Sequence, residues 1–260
     1  MKNYVLGFSD ISRQATITGG VWRDDLDTKM LKRGLLTAVA KTVDLTTLVL
    51  DITLGESKDI QVLGICNHNI SPTGTYQWEC FSDSGRTVGV YDSTTITSYE
   101  YDKSLIHKTT CDSIEIPVTD IYWRLTIVDA GNTEGFTKIG RLFIGERFDP
   151  TCNMSYGLKH GIDTKNTIIE RSNVGIEAFI QSVRTRTALF THKYMSIELG
   201  EKFFSMQMEM GVSEAVLYEF NPENKAKGLF TFVGRNDTIN PLDYPYSKLN
   251  ALAFNIKEII

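Results

Sequence analysis

The chain has 260 residues, 42% of them hydrophobic and 23% charged, with a formal net charge of −5. That composition excludes general disorder and leaves apolar material for two cores. The negative balance excludes a global attraction to phosphate backbones. No long basic run offsets it, clusters such as residues 225–227 holding only two lysines, so nucleic acid is not an expected partner.

Along the chain, residues 1–10 carry one lysine and no apolar run of signal-peptide length. No segment approaches the roughly 18 apolar residues of a membrane span. The expectation is a protein made and assembled in the cytosol, whatever its final location, with no membrane span. Between Trp22 and Val43, the residues Leu26, Met30, Leu31, Leu35 and Leu36 can line one face of a short helix opened by Asp24, Asp25 and Asp27, although Gly34 weakens it. Residues 48–54 alternate Leu48, Leu50, Ile52 and Leu54 with Val49, Asp51 and Thr53, the period of a strand with one buried face. Residues 60–66 form a more continuous apolar run, as expected of a strand covered on both faces. Strands follow at 75–81, 121–128 and 138–145; in the second, Trp123, Leu125 and Ile127 alternate with Tyr122, Arg124 and Thr126. Short strands punctuated by Gly, Asn, Asp and Ser indicate an antiparallel sandwich.

Residues 146–157 are polar, aperiodic and carry Asp149-Pro150, which predicts a domain boundary. Beyond it, residues 178–190 read as a long strand or a hairpin arm. A helix is predicted at 197–210, with Ser196 as N-cap, Glu198 and Glu201 in the first turn, Leu199, Phe203, Met206 and Met210 on one face, and Gly211 after its end. Strands at 215–220, 228–233 and 249–256 complete the chain, with a turn at Asn221-Pro222-Glu223-Asn224.

The residues that carry chemistry are scattered. Cys66, Cys80, Cys111 and Cys152 form no CxxC pair and are expected as free thiols, a Cys80–Cys111 bridge being the alternative. His68, between Asn67 and Asn69, has the residue type of a metal ligand or base but no partner at ligand spacing, since His107, His160 and His192 are isolated. A turn bonded to its own backbone is expected there. The acidic neighbours Asp24 and Asp25, and Glu146 with Asp149, are expected as solvated surface. Residues 131–135 (GNTEG) lack the ladder of a calcium loop and are expected as a turn. Trp22, Trp78 and Trp123 are candidate sugar-stacking platforms; Trp123 is expected in the core, and Trp22 is the open case. No nucleophile elbow, phosphate loop or dinucleotide fingerprint occurs. No catalytic, cofactor-binding or metal residue is therefore assigned, and the chain is not expected to be an enzyme.

Taken in order, Gly20-Val21-Trp22, residues 48–55 (LVLDITLG), 60–71 (IQVLGICNHNIS), 122–129 (YWRLTIVD) and 139–145 (IGRLFIG) resemble a recurrent family of phage and prophage minor structural proteins. Asn153, Gly157, Leu189-Phe190, Gly211, residues 216–222 (VLYEFNP) and the closing strand continue the resemblance, while Cys66 departs from the plain apolar residue expected before NHN. The first half also resembles galactose-binding-like jelly rolls of the discoidin kind. The resemblance implies a mostly β protein of two sandwich domains: a jelly roll at 1–147 and a tail-tube or distal-tail-like sandwich at 148–260 with the packed helix 197–210. It implies a virion protein of the tail, a ring or collar subunit of the distal tail or baseplate. Its partners would be copies of itself in a ring and the tube, tape-measure and hub proteins, with no cofactor. The alternative is a carbohydrate-binding host-adhesion module whose partner is host surface glycan.

Overall fold

The computed structural model describes residues 4–148, 153–164, 168–171, 177–180, 183–223, 228–246 and 249–260. The protein is mostly β, with antiparallel strand pairing and, among the described residues, one α-helix. It forms two compact units: Met1–Thr151 with Glu214–Val233 and Ile260, and Cys152–Ser213 with Gly234–Ile259.

In the first unit two sheets face each other. One has the order Thr16–Gly19, Leu48–Thr53, Tyr122–Val128, Thr75–Phe81, Gly89–Asp92. Alternation decides its inner face. Trp123 lies between Ile52 and Cys80, Leu125 between Leu50 and Trp78, and Ile127 between Leu48 and Tyr76, and all nine are buried. Their neighbours Asp51, Arg124 and Glu79 point outward, where Arg124 Nε donates to Asp51 Oδ1 at 2.8 Å. The facing sheet contains Asp112–Val118, Ile60–Cys66, Arg141–Phe148, Tyr4–Phe8 and Val216–Phe220 in that order. Ile60–Cys66 is buried on both faces except at Gln61, as its continuous apolar run predicts. Leu63 and Ile65 enter the sandwich core. On the other face a Cβ at Gly64 would meet Leu217 Cδ2 at 2.7 Å, so the residue there is held to glycine by close packing.

That packing corrects the C-terminal side of the expected division at 147/148. Residues 214–233 do not belong with the rest of 148–260. Val216–Phe220 lies antiparallel beside Tyr4–Phe8, with Leu6 opposite Tyr218, because Leu217 and Tyr218 bury their side chains completely in the first unit.

The expected helix within residues 22–43 is also corrected. Only Met30–Lys32 is helical, as one 3₁₀ turn. The backbone around it bonds across to other segments instead: Arg23 N–H to Lys41 O, Lys41 N–H to Leu26 O, and Val43 N–H to Val21 O. Asp27 Oδ1 accepts from Lys29 N–H at 2.9 Å, a local bond that competes with a helical turn. Leu31 and Leu36 anchor the segment in the core while Leu35 is exposed.

In the second unit, Lys159–Asp163, Thr185–Met195 and Leu249–Glu258 pair antiparallel. The long strand or hairpin arm expected over 178–190 is two strands, Glu177–Ile180 and Thr185–Met195, and the first is one arm of a hairpin with Ile168–Arg171. The helix Ile197–Met210 stands where the sequence places it. Ser196 Oγ accepts from Leu199 N–H at 3.2 Å, and Gly211 N–H closes the end on Gln207 O. Its inner face buries Leu199, Phe203, Met206 and Met210. The Phe203 ring lies 5.0 Å from that of Phe254 and 5.4 Å from that of His192, which joins helix to sheet. Among the described residues, no helix is long and apolar enough to cross a membrane.

Candidate functional site

At one end of the first unit's sandwich, the segment after Ile60–Cys66 meets the segment after Tyr122–Val128. Both leave the sheet through polar residues whose side chains replace the lost ladder bonds. Asn67 takes a positive φ of 51° and donates its Nδ2 to Leu36 O at 2.5 Å. Asn69 donates Nδ2 to Phe136 O at 2.8 Å and accepts at Oδ1 from Lys138 N–H at 2.7 Å. Asn132 Nδ2 donates to Asn69 O and to Asp129 Oδ2. The Asp129 carboxylate also accepts from Ser71 N–H at 2.8 Å and from the Ser71 hydroxyl at 2.5 Å. The two loops are thus locked by buried amides, and the strand Lys138–Ile139 that follows pairs with Ala40–Lys41.

His68 is part of this lock. It is buried, and its Nδ1 accepts from Ile70 N–H at 3.1 Å. The proton therefore sits on Nε2, which is 3.0 Å from the Tyr101 hydroxyl, and that hydroxyl donates onward to Thr109 O at 3.2 Å. Burial, reinforced by Lys108 and Lys138, lowers its pKa to about 3, so the ring is neutral at ordinary pH. With both nitrogens engaged, His68 holds loops together: the Ile70 bond is the local one the turn reading expects, and the Tyr101 contact reaches a distant segment. Among the described residues no three His, Cys, Asp or Glu are arranged to hold a metal. The 131–135 segment is a turn: Asn132 N–H bonds Asp129 O, and Gly135 N–H bonds Asn132 O.

On this frame stands a group of cations around one aromatic ring. The Arg23 guanidinium carbon is 4.4 Å from the centroid of Phe136, and Lys41 Nζ is 5.2 Å from it. Arg23 Nε donates to Thr42 O at 3.1 Å, which fixes its direction. Lys41 lies directly opposite Lys138 in the two-stranded pair. Lys108 Nζ is 5.8 Å from the Tyr101 ring centroid. Burial holds the Lys138 pKa below its ordinary value; nearby Glu134 opposes this, and Lys41 and Lys108 reinforce it. Beside the group, sharing Thr42, is an open recess of about 210 Å³ bounded by Gly20, Val21, Thr46, Thr47 and Leu48.

The other sequence candidates fall elsewhere. Trp78 and Trp123 are fully buried and are core residues. Trp22 is half-buried, packs against the core cluster, and donates Nε1 to Gly19 O at 2.7 Å. Asp24 and Asp25 are exposed, as expected, while Asp149 and Cys152 lie outside the described residues. Cys66, Cys80 and Cys111 are buried and form no disulfide, so Cys80 and Cys111 are not bridged. No basic patch is visible in the sequence, because residues 23, 41, 108 and 138 come together only through the pairing of Ala40–Lys41 with Lys138–Ile139 and the loop contacts around it.

No protein-family model matches the chain, and no curated protein matches it. Among solved structures, the chain is similar to the family 32 carbohydrate-binding module of C. perfringens NanJ in complex with galactose, at 16% identity and a TM-score of 0.40, over 54% of this chain and 99% of that one. It is similar to a Streptococcus pneumoniae fucose-binding module, SpX-3, at 12% identity and 0.39, over 53% and 98%. It is similar to chitosan-binding module 1 from a chitosanase/glucanase of Paenibacillus sp. IK-5, at 15% identity and 0.42, over 53% and 98%.

Proposed function

We propose that the first unit is a carbohydrate-binding module that works by binding and breaks no bond in its ligand, and that glycan meets it at the loop end formed by Arg23, Lys41, Phe136 and Lys138. The observation that carries the reading is the placing of an aromatic ring and several strong donors beside an open recess, on loops locked by Asn69, Asn132 and Asp129. A sugar offers hydroxyls to such donors and a C–H face to such a ring. Loops already fixed lose little further freedom on binding. The test is retention of the full chain on immobilised glycans, followed by titration of the retained glycan. Phe136→Ala is expected to weaken binding about tenfold or more, roughly 1.4 kcal/mol, with little change in melting temperature because the ring is only half-buried. Retention of no glycan, or equal affinity in the Phe136→Ala protein, would contradict the proposal.

A second reading, compatible with the first, makes the chain an assembly subunit of a virion tail, as the sequence resemblance implies. One observation favours it: the outer side of the helix and its end expose Ile197, Phe204, Met208 and Val212, an apolar stripe of the kind subunit contacts cover. Light scattering should show an oligomer for the native chain and a monomer for the Phe204→Glu/Met208→Glu double variant. A native chain that stays monomeric at every concentration would remove this reading.

A further inference from the structure

The geometry of the loop end points to a saccharide bearing a negative charge, as a carboxylate or a phosphate ester, rather than to a neutral sugar; this rests on the glycan-binding reading above. Lys41 and Lys138 are cross-strand partners in direct register, a placement in which like charges destabilise the pair. Arg23 and Lys41 both stand over the single ring of Phe136, and Lys108 lies close enough to act on both His68 and Lys138. Among the described residues, none of these four cations makes an ion pair, although the chain as a whole carries a net charge of −5. Glu134 is the carboxylate that acts on Lys138, and it is exposed.

A fold that holds four unpaired cations together, three of them half-buried, is at lower free energy with an anion among them. The recess next to the cations is lined by uncharged groups, including Thr42 and Thr46, which suits the ring and hydroxyls of a sugar whose charged substituent faces the lysines. A nucleic-acid strand would need a row of phosphate contacts, and the cations here form one compact locus.

The test uses the full chain on an array of neutral, uronic-acid-containing, sialylated and sugar-phosphate glycans. Retention is expected on charged glycans alone, with the uronic and sialylated spots reporting a carboxylate ligand and the sugar-phosphate spots a phosphate ester. Lys41→Gln/Lys138→Gln should lower affinity for the retained glycan at least about tenfold. Its melting temperature should be equal or higher, because the like-charge pair is gone. Native binding should also weaken as salt rises. Equal retention of neutral glycans, or unchanged affinity in the double variant, would overturn the charge inference and leave the glycan reading standing. Retention of nothing would overturn both. Displacement of the retained glycan by inorganic phosphate at the same concentration as the free charged sugar would reduce the site to an anion site and overturn the saccharide part.

Discussion

Replacing Phe203 by alanine is expected to destabilise the second unit by about 3–5 kcal/mol, the usual cost of removing a buried phenylalanine. The ring is fully buried and touches Phe254 and His192, which lie on two different strands. Truncation removes the contact between the helix and both strands at once, and a cap such as Ser196, worth about 1 kcal/mol, does not hold a helix against its sheet. The loss would appear as a lower denaturant midpoint by circular dichroism. The two units need not unfold together, so tryptophan fluorescence provides a separate signal for the first: Trp22, Trp78 and Trp123 all belong to it. Unchanged stability of the Phe203→Ala protein would show that the helix does not pack through this face.

The second large effect is expected at Asp10. Its carboxylate pairs with Arg141, Nε at 3.1 Å and the terminal nitrogen at 2.5 Å, and also accepts from Ser12 N–H at 2.9 Å and Ile144 N–H at 3.2 Å. Both side chains are almost wholly removed from water, 1% and 2% exposed, so neither charge is stabilised by solvent. Asp10→Ala leaves a buried guanidinium without its counter-charge and is expected to cost about 3–5 kcal/mol. Asp10→Leu/Arg141→Met, which removes both charges and keeps the volume, should recover much of that loss. A thermal melt of the first unit in the single and double variants reads both. A double variant as unstable as Asp10→Ala would mean that the backbone bonds to Asp10, and not the ion pair, carry the effect.

How far the sequence foretold this molecule differs between its parts. The strands at 48–53 and 122–128 were legible because each has one buried face, and period-2 alternation records that directly. The helix at 197–210 was legible from its apolar spacing and from caps at both ends. Residues 22–43 misled because Leu31 and Leu36 are apolar for anchoring an irregular loop, a pattern that helical spacing imitates. The return of Val216–Phe220 to the first unit was not legible, since strand pairing across 210 positions leaves no local mark. The same limit hid the loop end. His68, Asn69 and the 131–135 turn drew attention as unusual residues, and they prove to be the frame. The residues they present, Arg23, Lys41, Phe136 and Lys138, look ordinary one at a time and become a group only through contacts between distant segments.

Binding of glycan at this loop end, as proposed, is testable residue by residue. Its most direct test is a titration of the isotope-labelled full chain with a glycan retained on the array, followed by two-dimensional amide spectra. Saturable shifts are expected, centred on Arg23, Lys41, Phe136, Thr137 and Lys138, with the core strand Tyr122–Val128 unmoved. Shifts centred instead on residues 153–213, or no saturable shift with any glycan, would contradict it.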